Sequence, residues 1–363
     1  MLAFFSILAA ISFYSGTTIA KKVNGNGTKK LNMVVISQTP EKNENLAESN
    51  QDLAEPQDTA ELAAESRNNN ISGTIGSEIG KLLASSNPIL SNKKEDDGNF
   101  IFAVLGDTQR YGGSANGDFP KAISKITEKN PDLLMAVGDL VSSCEGGNGC
   151  ESKLSKWKSI IGSLIPKLYV VMGNHDRTGK TKADAAWRNA FTLPTNGPAN
   201  YEELTYSFDY ENSHFVFLNS EKPEEHIINK TQRTWLERDL ASNKKENVFV
   251  FFHEPAYPVG SKIGEGLDAE KKDRDALWKI FKSYKVAAVF NGHEHIYSRR
   301  NIGGVYQFVA GNTDSFDHKP ANKNAEYSYV GKHYAIVEVK IKEITVNLYS
   351  IDGVLLNSFV IPG

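Results

Sequence analysis

Between Lys21 and Asn99 the chain has no Phe, Tyr, Trp, His or Cys. Asn, Ser, Glu and Ala recur there around isolated Leu and Ile residues, too little apolar surface to offset the entropy of ordering. Residues 21–98 are therefore expected as a disordered, low-complexity linker. A basic excess is missing as well: 41 Lys plus Arg stand against 44 Asp plus Glu, a net charge of −3. That balance cannot neutralise a polyphosphate backbone by counterion release, which argues against a nucleic-acid duplex as the main ligand. No period repeats along the chain, so solenoids and propellers are excluded. Cysteine is limited to Cys144 and Cys150.

What is present is unevenly placed. Up to residue 98 there are 9 basic and 12 acidic side chains, and beyond it 32 of each, so the whole deficit lies in the first part. All eight His, both Cys and all four Trp follow residue 98. Chemistry is thus sought in residues 99–363, a length that suits one larger domain. Residues 1–20, MLAFFSILAAISFYSGTTIA, are apolar with small residues at Thr18 and Ala20, as in an export signal. The flanking charge has the opposite polarity to a usual signal, with Lys21, Lys22, Lys29 and Lys30 after the run. A membrane anchor through residues 1–20 is the alternative, and it would be the chain's one route to a membrane. Cys144 and Cys150 flank Glu-Gly-Gly-Asn-Gly, a loop that a disulfide would close; zinc is the poorer alternative, since two thiolates make half a site. The cysteine usage agrees with export, and the expected location is secreted or extracytoplasmic. Asn26, Asn70 and Asn229 each open an Asn-x-Ser/Thr acceptor.

From Phe100 onward, short apolar runs ending in Gly, Asp, Asn or His alternate with amphipathic stretches. That texture predicts strands over 100–105, 133–137, 168–172, 205–209, 214–219, 248–252, 286–290, 305–309, 333–340, 343–350 and 354–360. Helices are expected over 119–129, 152–163, 182–191, 229–242 and 268–284. The strand ends carry the information. The first strand runs into Gly106-Asp107-Thr108-Gln109, the second into Gly138-Asp139 and the third into Gly173-Asn174-His175-Asp176. Later come Val250-Phe251-Phe252-His253 and Gly292-His293-Glu294-His295. Taken singly, a Gly-Asp after a strand is an ordinary turn and a His after an apolar run an ordinary packing residue. Five such signals in order place oxygen and imidazole donors where α/β sheets build their sites.

The ordered series GD, GD, GNH[DE], VxxH and GHxH resembles the calcineurin-like metallophosphoesterases, and the tail of the domain is similar to their secreted branch near the purple acid phosphatases. The resemblance extends over roughly residues 100–363. It includes Tyr206-Ser207-Phe208-Asp209-Tyr210 with His214-Phe215-Val216-Phe217-Leu218, and the Gln232-x-x-Trp235-Leu236 helix. It implies an α/β, four-layer fold: two mixed β-sheets packed as a sandwich, helices outside, metals at the strand ends. It further implies that Asp107, Asp139 and His295 hold one metal and that Asp139, Asn174, His253 and His293 hold another, with Asp139 as the bridge. Mixed carboxylate, carbonyl and imidazole donors suit Zn, Mn or Fe rather than Ca. His175 would protonate the leaving oxygen or bind the phosphoryl group, with Asp176 orienting its ring.

Two departures stand out. Gln109 occupies the position where many members carry His and the purple branch Gly, so it is a weak ligand, a donor behind the ligands, or outside the site. Ser142 occupies the position of the purple branch's Tyr, so a colourless protein is expected. Arg110 and Tyr111 follow the first motif as candidate substrate contacts, and Arg299 and Arg300 are weaker candidates for phosphate clamps. His214, His226, His318 and His333 are read as structural or surface residues, with His318 able to approach the site. The expected function is a dimetal phosphatase or phosphodiesterase acting on a small or exposed phosphate ester. The alternatives are a metal-dependent nuclease of the same fold and an inactive surface binding protein.

Overall fold

The computed structural model describes residues 98–110, 117–145, 148–320 and 324–362, all within a compact unit spanning Asn87–Gly363. The expectations for residues 1–20 and 21–98, and for Tyr111, lie outside the described residues.

Six strands form the first sheet, in the order β13-β12-β11-β1-β2-β3. Strands β1 (Phe100–Leu105), β2 (Leu133–Ala136) and β3 (Leu168–Val170) run parallel. Strands β11 (His333–Lys340), β12 (Glu343–Ser350) and β13 (Leu355–Ile361) extend it antiparallel, with Phe102 opposite Val337. Seven strands form the second sheet, in the order β10-β8-β9-β7-β6-β5-β4. Its parallel centre is β5 (Ser213–Phe217), β6 (Asn247–Phe251), β7 (Ala288–Asn291) and β9 (Val305–Ala310). Antiparallel β4 (Tyr206–Tyr210), β8 (Tyr297–Ile302) and β10 (Tyr327–Tyr329) complete it. Both sheets are mixed, and the predicted sandwich is the fold observed.

Aromatic side chains close the space between the sheets. Phe102 of β1 meets Phe215, Phe249 and Phe290 of the second sheet edge to face, at 5.5, 5.1 and 5.8 Å between ring centroids. Such pairs add specificity of angle to the area they bury. Helices α1 (Asp118–Glu128), α2 (Asn148–Ile161), α3 (Thr181–Ala190), α4 (Lys230–Ser242) and α5 (Lys271–Ser283) flank the strands. Helix α1 buries Phe119, Ala122, Ile123 and Ile126, the stripe of a 3.6-residue period. On the second sheet, Leu236, Leu240, Trp278 and Phe281 of α4 and α5 pack with Val216, Val248, Val250 and Val289. Asn229 caps α4 by accepting from the Gln232 amide at 3.1 Å, and its Nδ2 donates to the Tyr201 hydroxyl at 2.9 Å. The one glycan acceptor among the described residues is therefore engaged in holding a helix end.

Two strands, β8 and β10, were not expected. Strand β8 reads Tyr-Ser-Arg-Arg-Asn-Ile, without the apolar alternation that marks a half-buried strand. Its arginines supply the missing cover with their stems and planar heads. Arg299 lies over the Phe359 ring at 3.6 Å and pairs with Glu326, while Arg300 lies over Tyr257 and donates to its carbonyl at 3.1 Å. These contacts engage both guanidinium groups within the fold and tell against the weaker candidacy of Arg299 and Arg300 as phosphate clamps.

Candidate metal centre

The carboxyl ends of five parallel strands converge on one edge of the sandwich, and the residues that follow them form the centre. Asp107 follows β1, Asp139 follows β2, Asn174 follows β3, His253 follows β6 and His293 follows β7. Asp107, Asp139 and His293 adopt left-handed backbone conformations, with φ of 53°, 53° and 68°. Non-glycine residues rarely take these values, and here they turn each side chain inward at the end of a strand. Neighbouring glycines serve close approach: a Cβ at Gly173 would overlap Asp139 Oδ1, and one at Gly292 would overlap Asp107 Oδ2.

The donor atoms are close together. His253 Nε2 lies 3.4 Å from Asp139 Oδ1 and 3.1 Å from Asn174 Oδ1, and His293 Nδ1 lies 3.1 Å from the same Asn174 oxygen. On the other side, His295 Nε2 lies 3.4 Å from Asp107 Oδ1. Single ligand atoms of Asp107, Asp139 and His253 fall within 4.8 Å of one another. Donors at about 2.1 Å from a shared tetrahedral or octahedral ion sit about 3.0–3.4 Å apart, so the spacing fits transition-metal coordination. The charge fits too. Asp107 and Asp139 are buried, and no Lys or Arg among the described residues pairs with either; the ionisable partners that face them are imidazoles.

Each imidazole is held by its other nitrogen. His253 Nδ1 donates to the Val137 carbonyl at 2.8 Å, His293 Nε2 to that of Glu265 at 2.7 Å, and His295 Nδ1 to that of Phe316 at 2.8 Å. This leaves Nε2, Nδ1 and Nε2, respectively, directed at the carboxylates and the amide, as metal-binding histidines are oriented. The electrostatics follow from burial and pairing. Burial raises the Asp107 carboxyl above its ordinary range. Burial acts the same way on Asp139, but the His253 charge outweighs it and holds that carboxyl low. His253 is raised well above the ordinary imidazole value despite its burial, because the Asp139 charge faces it. His293 is pushed well below that value by burial and by His253.

His175 sits at the rim. Its amide donates to Asp139 Oδ1 at 2.9 Å, its Nδ1 donates to the Ser142 carbonyl at 2.9 Å, and its Nε2 is 3.9 Å from Asp139 Oδ2. Asp176 does not orient that ring, contrary to expectation. Its buried carboxylate accepts instead from the amides of Leu140, Val141 and Gly173, at 2.9–3.0 Å. Burial and the Asp139 charge push it up to about 7, against the pull of those amides. Gln109 reaches the centre: Nε2 is 3.3 Å from Asp139 Oδ2 and 3.0 Å from His295 Nε2, while the buried Oε1 has no partner. Exchanging the amide's O and N would point the oxygen at the same place. Arg110 is exposed, with its guanidinium over the Phe316 ring at 4.1 Å. Cys144 and Cys150 form a disulfide.

His318 does approach the site, its ring stacked on His295 at 4.1 Å. His226 is not simply a surface residue, since its Nδ1 donates to the buried Glu254 at 2.9 Å. His214 and His333 lie in the framework, bonded to Asp209 and Asp239 and to the Gly331 carbonyl. Sequence reasoning missed the carbonyls of Val137, Ser142, Glu265 and Phe316 that hold the rings. A carbonyl is common to every residue type, so no side-chain signal could have marked them.

A sandwich of two mixed sheets that gathers buried carboxylates, an amide and oriented imidazoles at its parallel strand ends has the form of a metal-binding α/β domain. The chain belongs to the calcineurin-like phosphoesterase family, whose sequence model matches residues 100–297, more than half of the chain. Among curated relatives it is 27% identical over 209 residues to purple acid phosphatase 15 of Arabidopsis thaliana, covering 49% of this chain and 38% of that protein. It is 26% identical over 225 residues to probable inactive purple acid phosphatase 27 of the same plant, covering 55% of this chain and 35% of that one. The chain thus spans less than half the length of these two relatives. The solved purple acid phosphatase PPD1 from yellow lupin (Lupinus luteus) seeds shares the fold, with a TM-score of 0.62 at 19% identity, over 73% of this chain and 54% of that chain.

Proposed function

We propose that the protein is an exported dimetal phosphoester hydrolase acting on a small or exposed phosphate ester. The observation that carries this reading is the spacing of Asp139 Oδ1, Asn174 Oδ1, His253 Nε2 and His293 Nδ1, linked at 3.1–3.4 Å around a buried, cation-poor centre. In this reading these four residues hold one Zn, Mn or Fe ion, and Asp107, Asp139 and His295 hold the other, with Gln109 beside them. Bound there, two such ions would supply a water of lowered pKa and offset the charge of the phosphoryl oxygens. The rest falls to the protein. The carbonyls of Val137, Glu265 and Phe316 fix the imidazoles so that little reorganisation accompanies reaction. His175, held through Nδ1 by the Ser142 carbonyl, presents Nε2 at the exposed rim; in the imidazolium form Nε2 carries the proton it would pass to the departing oxygen, leaving the neutral ring on the Ser142 bond. Asp176 ties the ends of β2 and β3 together and so keeps Asp139 and His175 in register.

The disulfide and the apolar residues 1–20 support export; no helix among the described residues is long and apolar enough to cross a membrane. Because Ser142 offers no phenolate, the metal-loaded protein is expected to be colourless, and a strong visible absorption band would contradict that. The inactive binding protein remains the second reading, favoured by the Gln109 departure and by the likeness to a probable inactive relative. Metal content per chain, followed by turnover of an aryl phosphate monoester, an aryl diester and single-stranded DNA, separates the readings. Turnover of an ester that Asp139→Asn abolishes is the expected result. Metal-loaded protein that turns over none of the three, or an Asp139→Asn variant with full rate, would overturn it.

A further inference from the structure

Phe316, at 65%, is the most exposed large apolar side chain among the described residues, and of the exposed large apolar side chains there it is the one aromatic. Its loop is not slack. Thr313 and Asp314 donate backbone amides to the Gly106 and Asp107 carbonyls at 3.0 and 3.1 Å, and the Arg110 amide donates to the Asp314 carbonyl at 3.1 Å. Asn312 Nδ2 donates to Asp317 Oδ1 at 2.7 Å and to the His295 carbonyl at 3.2 Å, and Lys332 Nζ donates to Asp317 at 3.0 Å. The His318 amide donates to the His295 carbonyl at 3.1 Å. An apolar ring on a loop held this firmly costs little further ordering when something lands on it. The position matters as much. The Phe316 carbonyl accepts from His295 Nδ1, and the guanidinium of Arg110, the residue after Gln109, lies over the Phe316 ring at 4.1 Å, so the pair stands on the rim of the centre.

We propose that Phe316 and Arg110 form an aromatic and cationic platform that selects phosphate esters whose leaving group carries a flat aromatic ring. The inference rests on the hydrolase reading and narrows its substrate class. The ring would face the leaving group's ring, and the guanidinium would stack with it or meet its polar edge. A stacked contact of this kind contributes about tenfold in selectivity.

The test uses the full chain and two esters, phenyl phosphate and ethyl phosphate, with kcat/KM measured for each. Expected is an aryl-to-alkyl ratio that falls about tenfold in Phe316→Ala and is kept in Phe316→Tyr. Binding of phenylphosphonate relative to methylphosphonate, measured by calorimetry on the metal-loaded protein, should shift by the same factor and requires no turnover. An unchanged ratio in Phe316→Ala by both measures would overturn the proposal and leave Phe316 to a macromolecular contact. Wild-type protein that hydrolyses neither monoester would leave the hydrolase reading to the diester and DNA assays, while the phosphonate pair would still decide the platform.

Discussion

At the scale of single residues, the centre depends on side chains whose surroundings are already arranged. His175 is the clearest case, because its second nitrogen is fixed and its free one lies at the rim. His175→Ala should lower kcat by roughly 10²- to 10⁴-fold while the metal content per chain stays at the wild-type value. Loss of metal together with rate would assign His175 to coordination instead. Asp176 belongs to the frame. Replacing it by Ala strips three buried amides of their acceptor and should cost about 3 kcal/mol in urea unfolding. An effect within 0.5 kcal/mol, about the size of an ordinary surface substitution, would contradict that role. The side chains gathered at the candidate centre were legible in sequence because Asp, Asn and His directly after short apolar strands, most of them ending in Gly, are chemically distinctive. Their orientation was not, since it is set by carbonyls of Val137, Ser142, Glu265 and Phe316 that come from distant parts of the chain.

At the scale of elements, the strands that reveal themselves have continuous apolar runs. FIFAVL and NVFVF are buried on both faces and read directly from composition. Strand β8 escaped notice because Arg299 and Arg300 cover it with stacked guanidinium groups instead of branched apolar side chains. A second polar device ties the β4–β5 hairpin to α4. The His214 ring lies between Asp209 and Asp239, with Nδ1 and Nε2 at 2.7 and 2.9 Å from their carboxylates. Burial opposes the charge on this imidazole, but the two carboxylates outweigh it and raise its pKa. Since the folded value lies above the unfolded one, the contribution to stability is complete below about pH 6.5 and is lost as the pH rises through the folded value. His214→Ala should therefore destabilise the protein more at pH 6 than at pH 9, measured by urea unfolding at the two pH values. A destabilisation that is equal at both values, or larger at pH 9, would show that the ring acts by packing alone.

At the scale of the whole molecule, the net negative charge and the chemistry occupy separate stretches of sequence. Residues 99–363 carry 32 basic and 32 acidic side chains, so nothing in the sequence around the centre favours a long polyanion. For a small ester the reaction should be nearly indifferent to salt, with kcat/KM changing less than about threefold between 50 and 200 mM. A nuclease that engages six to ten phosphates would lose about 10³- to 10⁵-fold in affinity over that range. The fold class was legible because alternating strands and helices with donors at the strand ends admit few architectures. The order of strands within each sheet was not, because pairing between β1 and β11 joins residues more than two hundred positions apart and leaves no local pattern.

The most direct test is the number of transition-metal ions that the folded chain retains after loading and desalting, measured by inductively coupled plasma mass spectrometry. Two ions per wild-type chain are predicted, with at most one in Asp139→Asn, since the proposed assignment gives its carboxylate to both ions. A correctly folded wild-type chain that retains none, or an Asp139→Asn chain that retains two, would contradict the assignment of a dimetal centre.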